Sequence, residues 1–150
     1  MQENRNHPTI EKLHELIQTN EDSVKGYADA AEHLKEGELS TIFYRLSQQR
    51  ALFREELKDC VRHLGGDEEN STKVSHTLTR LWMDFKSGLN GSDTKKIIDD
   101  CKKADIGAVK SYEEVIKSNP PEYIRDIILN HLKLIKGTQV QLEEFKTNPN

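Results

Sequence analysis

Four strongly polar residues interrupt the apolar stripes of this chain, and their side chains are the ones best able to do chemistry. They are Asn20, Arg50, Asp105 and His131. A carboxylate and an imidazole can bind a metal ion or exchange protons, whereas arginine carries a permanent positive charge and pairs with carboxylates. Because each group is costly to bury without a partner, the pattern predicts that the four side chains meet inside the protein.

The stripes consist of apolar residues spaced three and four apart, which is typical of helices that pack along one face. Four such segments of about 25 residues are present, a length and number typical of a helical bundle. Helix start and stop signals separate them: Pro8-Thr9, Gly37, Gly65-Gly66, Asn90 to Asp93, and Asn119 to Pro121. The sequence therefore predicts an all-α, single-domain chain over residues 1–150.

A fifth helix is predicted between the second and third long ones. Asn70 to Leu89 carries its own apolar stripe, which includes Trp82 and Phe85 and is expected to cover the other helices. A helix over about residues 71–89 would be roughly 28 Å long. It could carry the chain back along the bundle, so that the second and third long helices run parallel.

The parallel arrangement brings the four polar residues to similar heights, within about 7 Å of each other along the helix axes. We expect Arg50 to pair with Asp105, and Asn20 and His131 to complete their hydrogen bonds. Gln49 and Tyr27 lie close enough along the chain to join this polar layer. The first interpretation is structural, since buried polar layers fix the alignment of helices.

The chain resembles a known group through several short matches that follow one another in order and cover nearly its whole length. It is similar to ferritin-like proteins, and most closely to an uncharacterised bacterial family of ferritin-like four-helix bundles, a domain of unknown function. The matching residues are Leu16-Ile17, Gly26-Tyr27, Ala30-Ala31-Glu32, Arg50, Phe53, Leu57, Gly65-Gly66, Arg80-Leu81-Trp82, Cys101 and Asp105. The resemblance implies a ferritin-like fold, with a helical crossover between helices two and three, and little about activity.

The resemblance also allows the metal ligands of ferritin-like proteins to be compared with the residues of this chain. Di-iron members of the ferritin-like group place a Glu on two helices and Glu-x-x-His on the other two. At the matching depth this chain has Asn20, Gln49 or Arg50, Asp105 and His131, which are too few carboxylates and imidazoles for two cations. The charge of Arg50 also opposes a dication. We therefore expect a degenerate metal site and no cofactor.

In an alternative interpretation, the protein does bind a metal ion. In it, the protein is an iron- or manganese-binding oxidoreductase, or an iron-handling protein, and flanking carboxylates swing inward to complete the site. Its ligands would be Asp105, His131, Glu21, Asp22 and Glu56. The one Glu-x-x-His in the chain, Glu11 to His14, is expected to be a surface pair.

Two further candidates have simpler explanations. Cys60 and Cys101 lie on the apolar stripes about 20 Å apart by helical rise, so core packing is expected and a disulfide is not. Tyr27 and Tyr112 could flank a small apolar ligand, although only their aromatic character suggests it.

Charge and composition narrow the class of partner. The formal net charge is −4, and acidic and basic residues are interspersed along the chain without a basic run. Nucleic acid is not an expected partner, and neither is a membrane, because no apolar run reaches about 18 residues. We expect a non-enzymatic cytoplasmic protein with a structural, stress-associated or interaction role, and a homodimer if it self-associates.

Overall fold

The computed structural model describes residues 3–67 and 77–147, and both ranges are helical. These two ranges contain five α-helices: α1 Glu3–Leu34, α2 Glu38–His63, α3 Thr77–Gly88, α4 Thr94–Lys117 and α5 Glu122–Thr147. A short 3-10 helix, Leu89–Gly91, follows α3, and these two ranges contain no strand, which confirms the all-α prediction for them. None of the helices in these ranges has the length and apolar content that crossing a lipid bilayer requires.

The predicted boundaries agree with the structure at some helix ends and differ at others. Asp93 caps α4, because its Oδ1 accepts the backbone N–H of Lys96 at 2.9 Å. The expected start of α1 after Pro8 is wrong, since the helix begins at Glu3 and Pro8 lies inside it. Proline costs a helix one backbone hydrogen bond, but its fixed φ is compatible with helical geometry. The crossover helix, expected over about 71–89, is described from residue 77 onward, and residues 71–76 lie outside the described residues.

Helices α1 and α2 form an antiparallel hairpin. Ser40 Oγ donates to the backbone oxygen of Ala31, and Ser47 Oγ donates to that of Val24, both at 2.8 Å. Later residues of α2 therefore contact earlier residues of α1, which means that the two helices run in opposite directions. The two serines also satisfy their own hydroxyl groups at this close helix contact, as a buried polar group requires.

Helix α4 also runs antiparallel to α1. Tyr27 contacts Asp105, and Asn20, seven residues earlier in α1, contacts Tyr112, seven residues later in α4. Because α2 and α4 are both antiparallel to α1, they are parallel to each other. Helix α5 follows the turn at residues 118–121 and pairs with α4 in the antiparallel sense.

The apolar core is divided into two clusters, which lie on either side of the polar side chains. One contains Tyr27, Phe43, Trp82, Ile98, Cys101 and Leu142, among others. The other contains Leu13, Phe53, Cys60, Tyr112, Ile128 and Ile135, among others. Cys60 and Cys101 are thus free thiols in different clusters.

Helix α3 crosses α1 and α4 at two glycines. A Cβ atom at Gly26 would lie 2.0 Å from Cε3 of Trp82, and one at Gly107 would lie 2.3 Å from Cδ2 of Leu78. Neither distance is physically accessible to a real side chain. The absence of side chains at these two positions therefore lets α3 bury Trp82 and Phe85 against the long helices.

Candidate functional site

An ion pair between Arg50 and Asp105 lies at the centre of the protein. Arg50 Nη1 donates to Asp105 Oδ1 at 2.7 Å, and Arg50 Nη2 donates to Asp105 Oδ2 at 2.9 Å. Both side chains have 0% exposed surface. This bidentate geometry is the strongest form of the arginine–carboxylate interaction, and it links α2 to α4.

Three neighbouring side chains supply further hydrogen-bond partners for the ion pair. The hydroxyl of Tyr27 donates to Asp105 Oδ2 at 2.6 Å, and the Tyr27 ring lies 5.2 Å below the guanidinium carbon of Arg50. Arg50 Nε donates to Gln49 Oε1 at 3.0 Å, and Nη2 lies 3.5 Å from Thr138 Oγ1. The cation and the anion therefore balance each other inside a nearly complete shell of hydrogen bonds.

The surroundings of Arg50 and Tyr27 raise the pKa of both groups. Burial disfavours the charge on Arg50, but the Asp105 carboxylate outweighs it, so the pKa of Arg50 lies above its usual value. Burial, and then the negative charge of Asp105, raise the pKa of Tyr27 well above its usual value. At neutral pH the Arg50 guanidinium is thus charged and the Tyr27 phenol keeps its proton.

A second hydrogen-bonded chain lies beside the first. Asn20 Nδ2 donates to the Tyr112 hydroxyl at 2.8 Å, and that hydroxyl lies 2.9 Å from His131 Nδ1. On the other side of the ring, His131 Nε2 lies 2.7 Å from Glu56 Oε1. His131 is fully buried, whereas 41% of the Glu56 side chain is exposed, so the chain runs from the interior to the surface.

The direction of each bond in this chain follows from the groups that can only accept or only donate. The Glu56 carboxylate accepts, which places the imidazole proton of His131 on Nε2. Nδ1 then accepts the hydroxyl hydrogen of Tyr112. Burial lowers the pKa of His131, although the hydrogen bond and charge of Glu56 oppose this shift, so the imidazole is neutral at neutral pH. Phe53 stacks on the ring, with 3.9 Å between the ring centres.

The structure thus places the expected polar residues in two adjacent groups and not in one. Arg50, Asp105, Gln49 and Tyr27 form one, and Asn20 and His131 belong to the other, joined by Tyr112. The difference arises because Asn20 and Tyr27 are two helical turns apart, about 10 Å along α1. Asn20 and His131 were expected to complete the hydrogen bonds of the ion pair, which Tyr27, Gln49 and Thr138 do instead.

Sequence reasoning did not assign Tyr112 to the polar layer. Tyrosine fits an apolar stripe, so its place on α4 indicated core packing. A buried tyrosine hydroxyl nevertheless needs a partner. Its position seven residues after Asp105 on the same stripe was the available signal.

The carboxylates of the alternative metal site do not converge. Glu21 accepts a hydrogen bond from Arg54 at 3.0 Å, and Asp22 Oδ2 accepts one from Thr79 at 2.5 Å, which ties α1 to α3. Of these carboxylates, only Glu56 contacts His131, and the Asp105 carboxylate forms an ion pair with Arg50. No group of three or more His, Cys, Asp or Glu side chains within residues 3–67 and 77–147 has a geometry that could hold a metal ion.

The Glu-x-x-His pair also differs from expectation. His14 is buried, with 7% of its surface exposed, and was expected at the surface. Its Nε2 lies 2.8 Å from the backbone oxygen of Asp67, beyond the end of α2. The imidazole therefore joins α1 to the segment after α2, an ordinary structural use of histidine.

His131 is expected to make the protein less stable in acid. Its pKa is lowered in the folded state, so the unfolded chain binds the proton more readily. The contribution of neutral His131 is therefore present above the unfolded pKa of about 6.5 and lost as the pH falls below it. Urea unfolding between about pH 7.5 and 5 measures this loss, whose slope for one proton cannot exceed about 1.4 kcal/mol per pH unit. His131→Gln should flatten the dependence of unfolding free energy on pH. His63→Gln, at an exposed position, is the control and should keep the wild-type slope. An unchanged slope in His131→Gln would contradict the role given to His131.

The fold and site together define a class of protein: all-α, with four long helices around a buried layer of charged and polar side chains. The sequence model of a family described as a domain of unknown function, DUF2383, matches residues 8–118. The match covers most of the chain, which therefore belongs to this family. It includes Asn20, Arg50 and Asp105 but ends before α5, which carries His131. No curated protein and no solved structure matches the chain.

Proposed function

We propose that this protein is a ferritin-like four-helix bundle with a degenerate metal site. In this proposal it is a non-enzymatic protein of the cytoplasm, with a structural, stress-associated or interaction role. The helix directions support the fold, because α2 and α4 run parallel and α3 lies between them in the chain, as a helical crossover would. The ion pair of Arg50 and Asp105 supports the absence of a metal centre, and it is the observation that carries the proposal.

The ion pair occupies the donor groups that a metal would need. The two oxygens of Asp105 accept two hydrogen bonds from Arg50 and one from Tyr27. A divalent cation would have to displace a bidentate arginine and then remain beside a permanent positive charge in a low-dielectric interior. Both effects disfavour metal binding at this depth.

A structural role for the pair follows from what it connects. It joins α2 to α4, while Tyr27 extends the contact to α1 and Thr138 to α5. A helix that slid by one turn would move its polar residue by about 5.4 Å and leave a buried charge without its partner. The layer thus favours one alignment of the four helices over the others.

Metal analysis of the purified protein tests the proposal. The protein is purified without chelator, its iron and manganese are measured by mass spectrometry, and Fe(II) oxidation is followed under oxygen. We expect less than about one metal ion per ten chains, and Fe(II) oxidation no faster than in buffer, since the donor set is incomplete. Stoichiometric iron or manganese that is lost in His131→Ala, but kept in the control His63→Ala, would establish the metal-binding alternative.

A further inference from the structure

Two fully buried tyrosines each donate a hydrogen bond to a base, but only one of these bases leads towards solvent. The hydroxyl of Tyr27 lies 2.6 Å from Asp105 Oδ2, and that of Tyr112 lies 2.9 Å from His131 Nδ1. Both tyrosines have 0% exposed surface. A phenol that loses an electron and keeps its proton becomes a cation, which a low-dielectric interior disfavours strongly. One-electron oxidation therefore requires an exit for the proton.

Tyr27 has no such exit. Its proton could move only to Asp105, which would neutralise the partner of Arg50. The guanidinium would then be an unpaired charge in a site where neither side chain is exposed. Leaving a buried charge uncompensated is strongly unfavourable, so Tyr27 is held in its reduced state.

Tyr112 has an exit through two side chains. When His131 Nδ1 gains a proton, Nε2 can pass its own proton to Glu56 Oε1, 2.7 Å away. The imidazole then remains neutral, and the proton reaches a carboxylate that is 41% exposed. Histidine commonly relays protons in this way, with one ring nitrogen accepting as the other donates.

Asn20 and Phe53 hold this relay in place. The amide nitrogen of Asn20 donates to both the Leu16 backbone oxygen and the Tyr112 oxygen, each at 2.8 Å. The Tyr112 oxygen is thereby occupied as an acceptor, and its hydrogen is directed to His131. Phe53 stacks on the His131 ring and fixes its plane. Asn20 and Phe53 are positioning residues, because they act through their neighbours.

We propose that Tyr112 gives up an electron to small oxidising radicals, such as nitrogen dioxide, while its proton leaves through His131 and Glu56. The O–H bond of Tyr112 breaks, the proton binds Nδ1, and the Nε2 proton moves to the Glu56 carboxylate, which releases it to water. The electron reduces nitrogen dioxide to nitrite, and Tyr112 becomes a neutral tyrosyl radical. This activity goes beyond the structural role proposed above and does not depend on it.

The radical is detected by electron paramagnetic resonance after photo-oxidation of the full chain with ruthenium(III) tris-bipyridine. We expect a strong, persistent tyrosyl signal in the wild type and in Tyr27→Phe, and in Tyr112→Phe only the weaker signal of the remaining, exposed tyrosines. Tyr27→Phe is the matched control because both tyrosines are equally buried. Signal from the exposed Tyr44 and Tyr123 is measured in Tyr112→Phe and subtracted. A signal of wild-type intensity in Tyr112→Phe overturns the proposal.

Glu56→Gln tests the relay without removing the tyrosine. The amide oxygen can still accept a hydrogen bond from Nε2, but it cannot take the proton. The formation rate of the Tyr112 radical should fall by at least about tenfold, while the thermal unfolding temperature stays unchanged. Glu55→Gln, at the preceding and more exposed position of α2, should keep the wild-type rate. A wild-type rate in Glu56→Gln overturns the proton route.

Discussion

Replacing Asp105 with alanine is expected to lower the free energy of unfolding by about 3–5 kcal/mol, the usual cost of removing one partner of a buried ion pair. The cost is large because Arg50 would remain buried without a counter-charge, and Tyr27 would lose the acceptor of its hydroxyl. Chemical denaturation followed by circular dichroism measures the change. A loss well under about 1 kcal/mol would show that the guanidinium reaches water or another partner, and would contradict the buried-pair assignment.

A double substitution distinguishes the ion pair from simple loss of packing. Arg50→Met combined with Asp105→Leu removes both charges and keeps apolar volume in the layer. Such replacements are often neutral or stabilising, so the double variant should be more stable than either single variant. If the two single losses simply add, the two side chains are not energetically coupled.

Gly26→Ala is expected to destabilise the protein by about 1–3 kcal/mol, which is typical of overpacking in a core. The added methyl group would lie 2.0 to 2.5 Å from three ring atoms of Trp82, and an indole ring cannot bend away. Trp82 is the only tryptophan in the sequence. Its displacement should therefore appear directly as a shift of the fluorescence emission to longer wavelength.

Gly137→Ala is the matched control for this effect. Gly137 also lies within a helix, α5, but a Cβ atom there would meet no atom within 4 Å. The change should stabilise the protein by about 0.5–1 kcal/mol, because alanine favours the helix over glycine. If Gly26→Ala also stabilises the protein and leaves the emission unchanged, α3 does not pack on α1 at this position.

The two polar groups use similar residue types in different ways. Arg50 and Asp105 neutralise each other, and they leave Tyr27 no proton exit. The group around His131 includes only one charged residue, Glu56, which lies at the surface. One group is therefore suited to fixing the alignment of helices, and the other to moving a proton.

The helices and the inward-facing polar residues could be predicted from the sequence because both follow from local periodicity. A spacing of three and four identifies the buried face of a helix, and a charged residue on that face is conspicuous. Arg50, Asp105 and His131 all lie on such faces and have 0% exposed surface. The length available for the crossover segment also predicted the parallel direction of α2 and α4.

The contacts of Gly26 and Tyr112 could not be predicted in the same way. A glycine inside a helix gives no local indication that an indole ring will press against it. A tyrosine on an apolar stripe is compatible with simple core packing, and its hydroxyl partner belongs to another helix. These contacts depend on residues far apart in the chain, so no local pattern contains them.

The sequence by itself determined which side chains of each helix face inward, because helical periodicity is a property of the local chain. Only the tertiary structure decided that the polar residues form two groups and not one. Tyr27 meets Asp105, and Asn20 meets Tyr112, one heptad or about 10 Å further along the same pair of helices. The physical reason is that a hydrogen bond requires its two atoms to lie within about 3 Å. The relative height and rotation of neighbouring helices, which the packing of both apolar clusters sets, therefore select each partner.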